Sequence, residues 1–268
     1  MKREKGQLTS ALVQVGRDNP SRREFLAGGG KLAAGSVLAS IGLSRAYAGE
    51  DNTIRIALVG CGGRGSGAVA NALSSKTGPT KLIAMADVFE DRQTKSYKAL
   101  SEQFPKQVEV PPERRFIGFD AYRKAIDCLR PGDVMIQATH SAFRPTHFKY
   151  AVEKGVNAFI EKSFAPDPGG TKEILRLGRE ANKKNLKVGC GLMCRHSASR
   201  QALIQKIRDG AMGDIVLIRA YRMDPGARLG PFKGGQSELL WQIQRPYFFL
   251  WVSSAWFIEM MIHQVDEC

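Results

Sequence analysis

Residues 54–67 read IRIALVGCGGRGSG: a short, mostly apolar run with β-branched residues, then a glycine turn with the spacing Gly60-x-Gly62-x-x-Gly65. A near-continuous apolar run of this length fits a strand buried on both faces of a parallel sheet. In a chain with 28 glycines the spacing alone says little, so the flanks decide. Residues 66–73, SGAVANAL, read as a helix that lays small side chains on a sheet. Residues 81–87, KLIAMAD, read as a second strand ending in an acid. Strand, glycine turn, helix, strand and acid fit within about 35 residues, as a βαβ unit requires.

Each part of such a unit has a physical task. Gly60 permits the tight turn, Gly62 lets the backbone approach a pyrophosphate, and Gly65 lets the helix close on the strand. Gly63 and Arg64 complete the loop. The helix N-terminus offers N–H groups and the positive end of its dipole to phosphates. Asp87, 22 residues after Gly65, is placed to accept bonds from ribose hydroxyls. An acid there disfavours a 2′-phosphate, so of NAD and NADP the reading favours NAD. Arg64 pulls the other way, since an arginine nearby accommodates such a phosphate.

The alternation continues. Helical patterns at 119–129, 145–154 and 169–182 interleave with strand patterns at 133–138, 158–161 and 187–190. The fold class expected is α/β: a doubly wound parallel Rossmann sheet at 52–188, followed at 189–268 by the start of an incomplete α+β substrate domain. One strand is expected there, at 214–221. Ligands of such sheets bind beyond the carboxyl ends of the strands, where Thr139 and Lys162 fall.

The N-terminus reads as an address. Arg22 and Arg23 precede a thin Ala/Gly-rich apolar stretch interrupted by Lys31, then Ala46-Tyr47-Ala48. That is a twin-arginine signal with an A-x-A cleavage site over residues 1–48, and a poor membrane span. The expectation is folded export to the periplasm by the twin-arginine machinery, without stable membrane insertion, and with a cofactor loaded beforehand. Residues 1–48 carry 8 of the 40 basic and 3 of the 26 acidic side chains, so the remainder keeps an excess of +9. That charge is dispersed, which suits a solvated surface or an anionic small ligand and argues against nucleic acid. The five scattered cysteines form no CxxC pair and argue against a disulfide framework. Cys190 and Cys194 lack neighbouring ligands, so no metal site is expected.

Several stretches together resemble the Gfo/Idh/MocA oxidoreductases, the family of glucose–fructose oxidoreductase and inositol dehydrogenase. They are VGCGGRGSG, ATHSAFRPTHFKYAVEKGVNAFIEKS, CRHSASRQALIQKIRDGAMGDIVLIRA and WFIEMMIHQVDEC, in the family's order across residues 54–268. The resemblance implies hydride transfer between a nicotinamide cofactor and a hydroxyl of a sugar, polyol or related compound, with a homo-oligomer as a possible assembly. It implies that Lys162 hydrogen-bonds the reacting hydroxyl, that Glu161 contacts the ribose side of the cofactor, and that His263 is the general acid/base. Glu259, four residues before His263, shares its face on a helix and orients the imidazole or lines the sugar pocket. Asp266 lies on that side too. His147 is structural or adjacent to the cofactor, His140 stands where many relatives carry proline, and His196 is a further candidate for the site. The aromatic cluster Trp241, Tyr247, Phe248, Phe249, Trp251, Trp256 and Phe257 reads as packing before sugar stacking.

The sequence departs from the family in two places. Ser163 replaces the proline of the E-K-P motif, and relatives continue past the catalytic helix into an open sheet. The expectation is a truncated second domain whose apolar run 247–262 lacks its partner, an association liability. Two alternatives stay open: an NAD-using glycosidase that produces no net NADH, and a non-catalytic nucleotide-binding remnant.

Overall fold

Along β1 (Ile54–Val59) the side chains alternate between two cores: Ile56 and Leu58 join one apolar cluster, Ala57 and Val59 the other. A strand buried on both faces needs helices on both faces. The computed structural model, which describes residues 52–226 and 228–268, supplies them. The signal expected at 1–48 lies outside the described residues.

On the Ile56/Leu58 face lie α1 (Gly63–Leu73), through Ala68, Val69 and Leu73, and α2 (Glu90–Gln103), through Leu100. On the Ala57/Val59 face lie α3 (Ala121–Asp127), α4 (Arg144–Lys154) and α5 (Pro168–Lys183), which bury Ala125, Phe148, Ala151 and Leu177. Each fully buried large side chain contributes about 1.5–3 kcal/mol.

The other strands are β2 (Thr80–Asp87), β3 (Arg115–Ile117), β4 (Val134–Gln137), β5 (Asn157–Ile160) and β6 (Val188–Cys190). They form a six-stranded sheet in the order β3-β2-β1-β4-β5-β6, every neighbouring pair parallel. This is the doubly wound order of dinucleotide folds. Val59 sits beside Ala86 on one side and Gln137 on the other, so the chain reverses its winding at β1, and the crevice opens above Gly60. Within the sheet domain two elements escaped the sequence reading: α2, which is polar nearly all round, and the three-residue β3.

After β6 come α6 (Ala198–Arg208), α7 (Glu238–Ile243), α8 (Leu250–Ser253), a π-helical turn at Phe257–Met261 and α9 (Ile262–Glu267). The strand expected at 214–221 does not form: the segment is irregular and exposed, with Val216 at 95%. It pairs with no neighbouring strand, and β propensity without a partner fixes nothing. The expectation for 247–262 also needs correction. Val252, Ser253 and Glu259 are buried, Ser141 Oγ donates to the Val252 carbonyl at 3.3 Å, and Ser163 Oγ donates to the Ile258 carbonyl. The run is therefore partly covered by the ends of the sheet, while Leu250 and Phe257 within it stay exposed, as do the apolar side chains of residues 212–223.

Candidate functional site

The glycine turn joins β1 to α1 at the point where the winding reverses. Gly60 has φ +97°, and a Cβ on it would lie 2.7 Å from the Thr139 nitrogen. A Cβ on Gly65 would lie 2.0 Å from the Gly60 carbonyl oxygen, so only glycine lets α1 lie this close to β1. A Cβ on Gly62 would meet nothing within 4 Å. That open space is where a ligand would approach the backbone.

Gly62 caps α1 with no side-chain bond, and the first turn holds no acid. The first helical bond runs from Ser66 N–H to the Gly62 carbonyl at 3.0 Å. The N–H groups of Gly63, Arg64 and Gly65 come before it, and together they suit a phosphate.

Asp87 closes the other side of the turn. Its carboxylate accepts from Cys61 N–H at 2.6 Å and Phe89 N–H at 2.9 Å, pinning the end of β2 to the glycine loop. Burial holds its pKa above the usual carboxylate range, against these hydrogen bonds and the nearby Arg92 charge. Burial and the Asp87 charge together push the Cys61 thiol well above its ordinary range, so it is inert. A cavity of about 230 Å³ opens beside Asp87, and Gly62, Gly63, Arg64, Thr139, His140 and His147 also line it. His147 stacks on Tyr122 at 4.0 Å, and its Nδ1 lies 3.4 Å from Thr139 Oγ1. Burial first, then the Arg144 charge, lower His140 to about 4 and His147 to about 3, so both imidazoles are neutral at pH 7.

Beyond β5 a second group of residues gathers. Lys162 donates to the Glu259 carbonyl and lies 3.4 Å from its Oε2. The Lys162–Ser163 peptide bond is cis. Burial, then the charges of Lys162 and Arg222, lower the pKa of His263. Lys162 is thereby brought to Glu259, 97 residues away in the chain, and its charge reaches His263. His263 Nδ1 and Glu259 Oε1 are buried without a hydrogen-bond partner, the kind of atoms a bound polar molecule satisfies. Glu259 belongs to a π turn and His263 to the α-helix that follows, so the regular i, i+4 face expected for the pair is not the geometry that forms.

Four candidate residues have surroundings that the sequence did not suggest. Glu161 is buried and holds Arg64, at 2.7 Å to Nε and 2.5 Å to the terminal nitrogen, so it links the loop to β5. Arg64 is thereby paired with a carboxylate, and the arginine whose charge reaches Asp87 is Arg92, stacked 4.6 Å above Phe89. His196 is exposed on a 3-10 turn outside the cavity lining, and Asp266 pairs with Arg195 at 2.6 Å. Of the aromatics, Trp241 packs on Phe249 and Tyr247 on Trp256, as packing predicts. Arg92 and Arg144 were missed. An arginine in the first turn of a helix reads as surface, and only the fold shows that Arg144 is buried.

No family model matches the chain, and no curated protein does. Solved structures do. The myo-inositol 2-dehydrogenase of Lactobacillus plantarum superposes with a TM-score of 0.59 at 21% identity, over 81% of this chain and 55% of its own. The scyllo-inositol dehydrogenase of Lactobacillus casei, solved with NAD(H) and scyllo-inositol, gives 0.57 at 25% identity, over 81% and 55%. The fold is that of the inositol dehydrogenases. The chain spans about half the length of these proteins.

Proposed function

We propose that the chain is an oxidoreductase of the Gfo/Idh/MocA type that uses NAD or NADP, NAD favoured, to act on a hydroxyl group of a sugar or polyol. The observation that carries this reading is one pair of neighbours. An uncapped, glycine-turned helix end beside Asp87 suits a dinucleotide, and the next strand ends lead to Lys162, Glu259 and His263. The likeness to inositol dehydrogenases supports it. The residues fit the cofactor: Gly62 leaves its approach open, the first-turn N–H groups of α1 would hold the pyrophosphate, and Asp87 would take ribose hydroxyls.

When bound, the nicotinamide supplies the hydride acceptor. The remaining work falls to side chains. Lys162 holds the hydroxyl oxygen and stabilises the negative charge that grows there. His263, neutral because burial and the lysine charge depress its pKa, accepts the hydroxyl proton on a ring nitrogen. Glu259 keeps Lys162 in place.

The test begins with the protein as purified, denatured to release any nucleotide for identification by mass. Near-stoichiometric NAD or NADP is expected. A panel of sugars and polyols then follows, with wild type and Lys162→Ala. The variant should retain the nucleotide and lose hydride transfer about 10²–10³-fold. A panel with no lysine-dependent reduction of the cofactor sinks the reading. Export by the twin-arginine route is part of the same proposal. It predicts a periplasmic protein whose first residue is Gly49, and a full-length chain confined to the cytoplasm would refute it.

A further inference from the structure

Arg144 is the most deeply buried arginine near the site, 4% exposed at the first turn of α4. Its own carbonyl accepts from the Gln137 amide at 3.3 Å, which fixes the backbone at the end of β4. One terminal nitrogen of its guanidinium donates to the Ser163 carbonyl, and its Nε is buried without a partner. Among the described residues no carboxylate forms a direct ion pair with it. The titratable groups that face it are Glu259 from the π turn, Glu161 from the end of β5, His140 from the loop after β4 and His147 on α4. Burying a cation without a direct counter-ion is costly, and an apolar side chain of similar volume would be as stable or more so. Fold stability therefore does not explain an arginine here. Its one direct side-chain bond goes to the residue after Lys162.

We propose that Arg144 is a positioning residue for Lys162: by gripping the Ser163 carbonyl it fixes the backbone that sends the lysine side chain to Glu259. On the oxidoreductase reading above, this sets the aim of the ammonium at the reacting hydroxyl. The guanidinium spans from the helix that carries His147 to the strand end that carries Lys162. The nucleotide cavity and the lysine cluster are thereby held in one frame.

The test uses the full chain with Arg144→Met, Arg144→Gln and Arg144→Lys. Arg144→Met fills the volume and relieves the desolvation, so it is the variant built to keep its fold; Arg144→Gln is the second. The first readout is the rate at which Lys162 is acylated by an amine-reactive ester, followed by peptide mass spectrometry. It is independent of turnover. In Met and Gln the rate should rise several-fold as the amine leaves Glu259, and in Lys, which can still donate to Ser163, it should return toward wild type. The second readout separates binding from turnover: NAD affinity stays near wild type while kcat falls about a hundredfold, as for a misplaced catalytic group. Wild-type acylation rates in both Met and Gln overturn the proposal. So does a parallel loss of NAD binding and turnover in all three variants, Lys included, which marks mere structural support. A wild-type protein that binds no NAD sinks the oxidoreductase reading instead, and leaves the acylation result to judge Arg144 by itself.

Discussion

Gly62 and Gly65 belong to one loop and need glycine for different reasons. Gly62 has φ −68° and ψ 177°, a conformation any residue adopts, and open space where a Cβ would point. Gly62→Ala should therefore keep its urea midpoint and lose about tenfold or more in NAD affinity, because the methyl stands where the pyrophosphate approaches. At Gly65 a Cβ would sit 2.0 Å from the Gly60 oxygen and 3.1 Å from Leu58 Cδ1. Gly65→Ala must push α1 off β1, at about 1–3 kcal/mol or more of stability. Equal losses of stability in the two variants would contradict these separate roles. The turn at Gly60, the close helix packing at Gly65 and the place of Asp87 beside the loop were legible in the sequence because a βαβ turn is local, with every part within one supersecondary unit. The pairing of Glu161 with Arg64 was not. It joins residues 97 apart, and nothing in either neighbourhood names the partner.

Among elements, the buried strands were easiest to read. IRIALV and KLIAMAD are apolar on both faces, and that pattern has few other solutions. The stretch DIVLIRAY looks equally strand-like, yet it lies irregular and exposed because a strand is made by its neighbour as much as by its sequence. The π turn before α9 was invisible for a similar reason: it takes shape against Lys162 and Ser163, about a hundred residues away in the chain, which donate to its carbonyls. Helix α4 carries a testable consequence of burial. His147 titrates near 6.5 when unfolded and about 3 when folded. The unfolded chain thus binds the proton more readily, and stability rises with pH. This contribution is fully present above pH 6.5 and is lost as the pH falls toward 3, with His140 adding the same sign down to about 4. Melting temperature should fall on acidification from pH 7 to 5. In His147→Phe, which preserves the stack on Tyr122, the fall should be shallower. Identical acid slopes for the two proteins would show that the buried imidazole is not the cause.

For the whole molecule, the sheet and the cofactor cavity form a single thermodynamic unit if the glycine loop is a dinucleotide cradle. The loop is tied to β2 through Cys61 and Asp87, to β5 through Arg64 and Glu161, and to β4 by its contact with Thr139. A ligand held there stabilises the fold by mass action, about 2.7 kcal/mol at a hundred times its Kd. A domain of this size moves by about 2–4 °C per kcal/mol, so saturating NAD should raise the melting temperature by about 5–10 °C. Charge then separates the two dinucleotides. The Asp87 carboxylate opposes a 2′-phosphate and Arg92 attracts it, so NADP should give a smaller rise than NAD. Asp87→Asn keeps the side-chain volume and removes the negative charge, leaving Arg92 unopposed. The NADP shift should then reach or exceed the NAD shift, while Arg92→Ala in the same background should reverse the order again. If Asp87→Asn lowers both shifts alike, Asp87 acts through its bonds to Cys61 and Phe89, and selection between the cofactors lies elsewhere in the cavity.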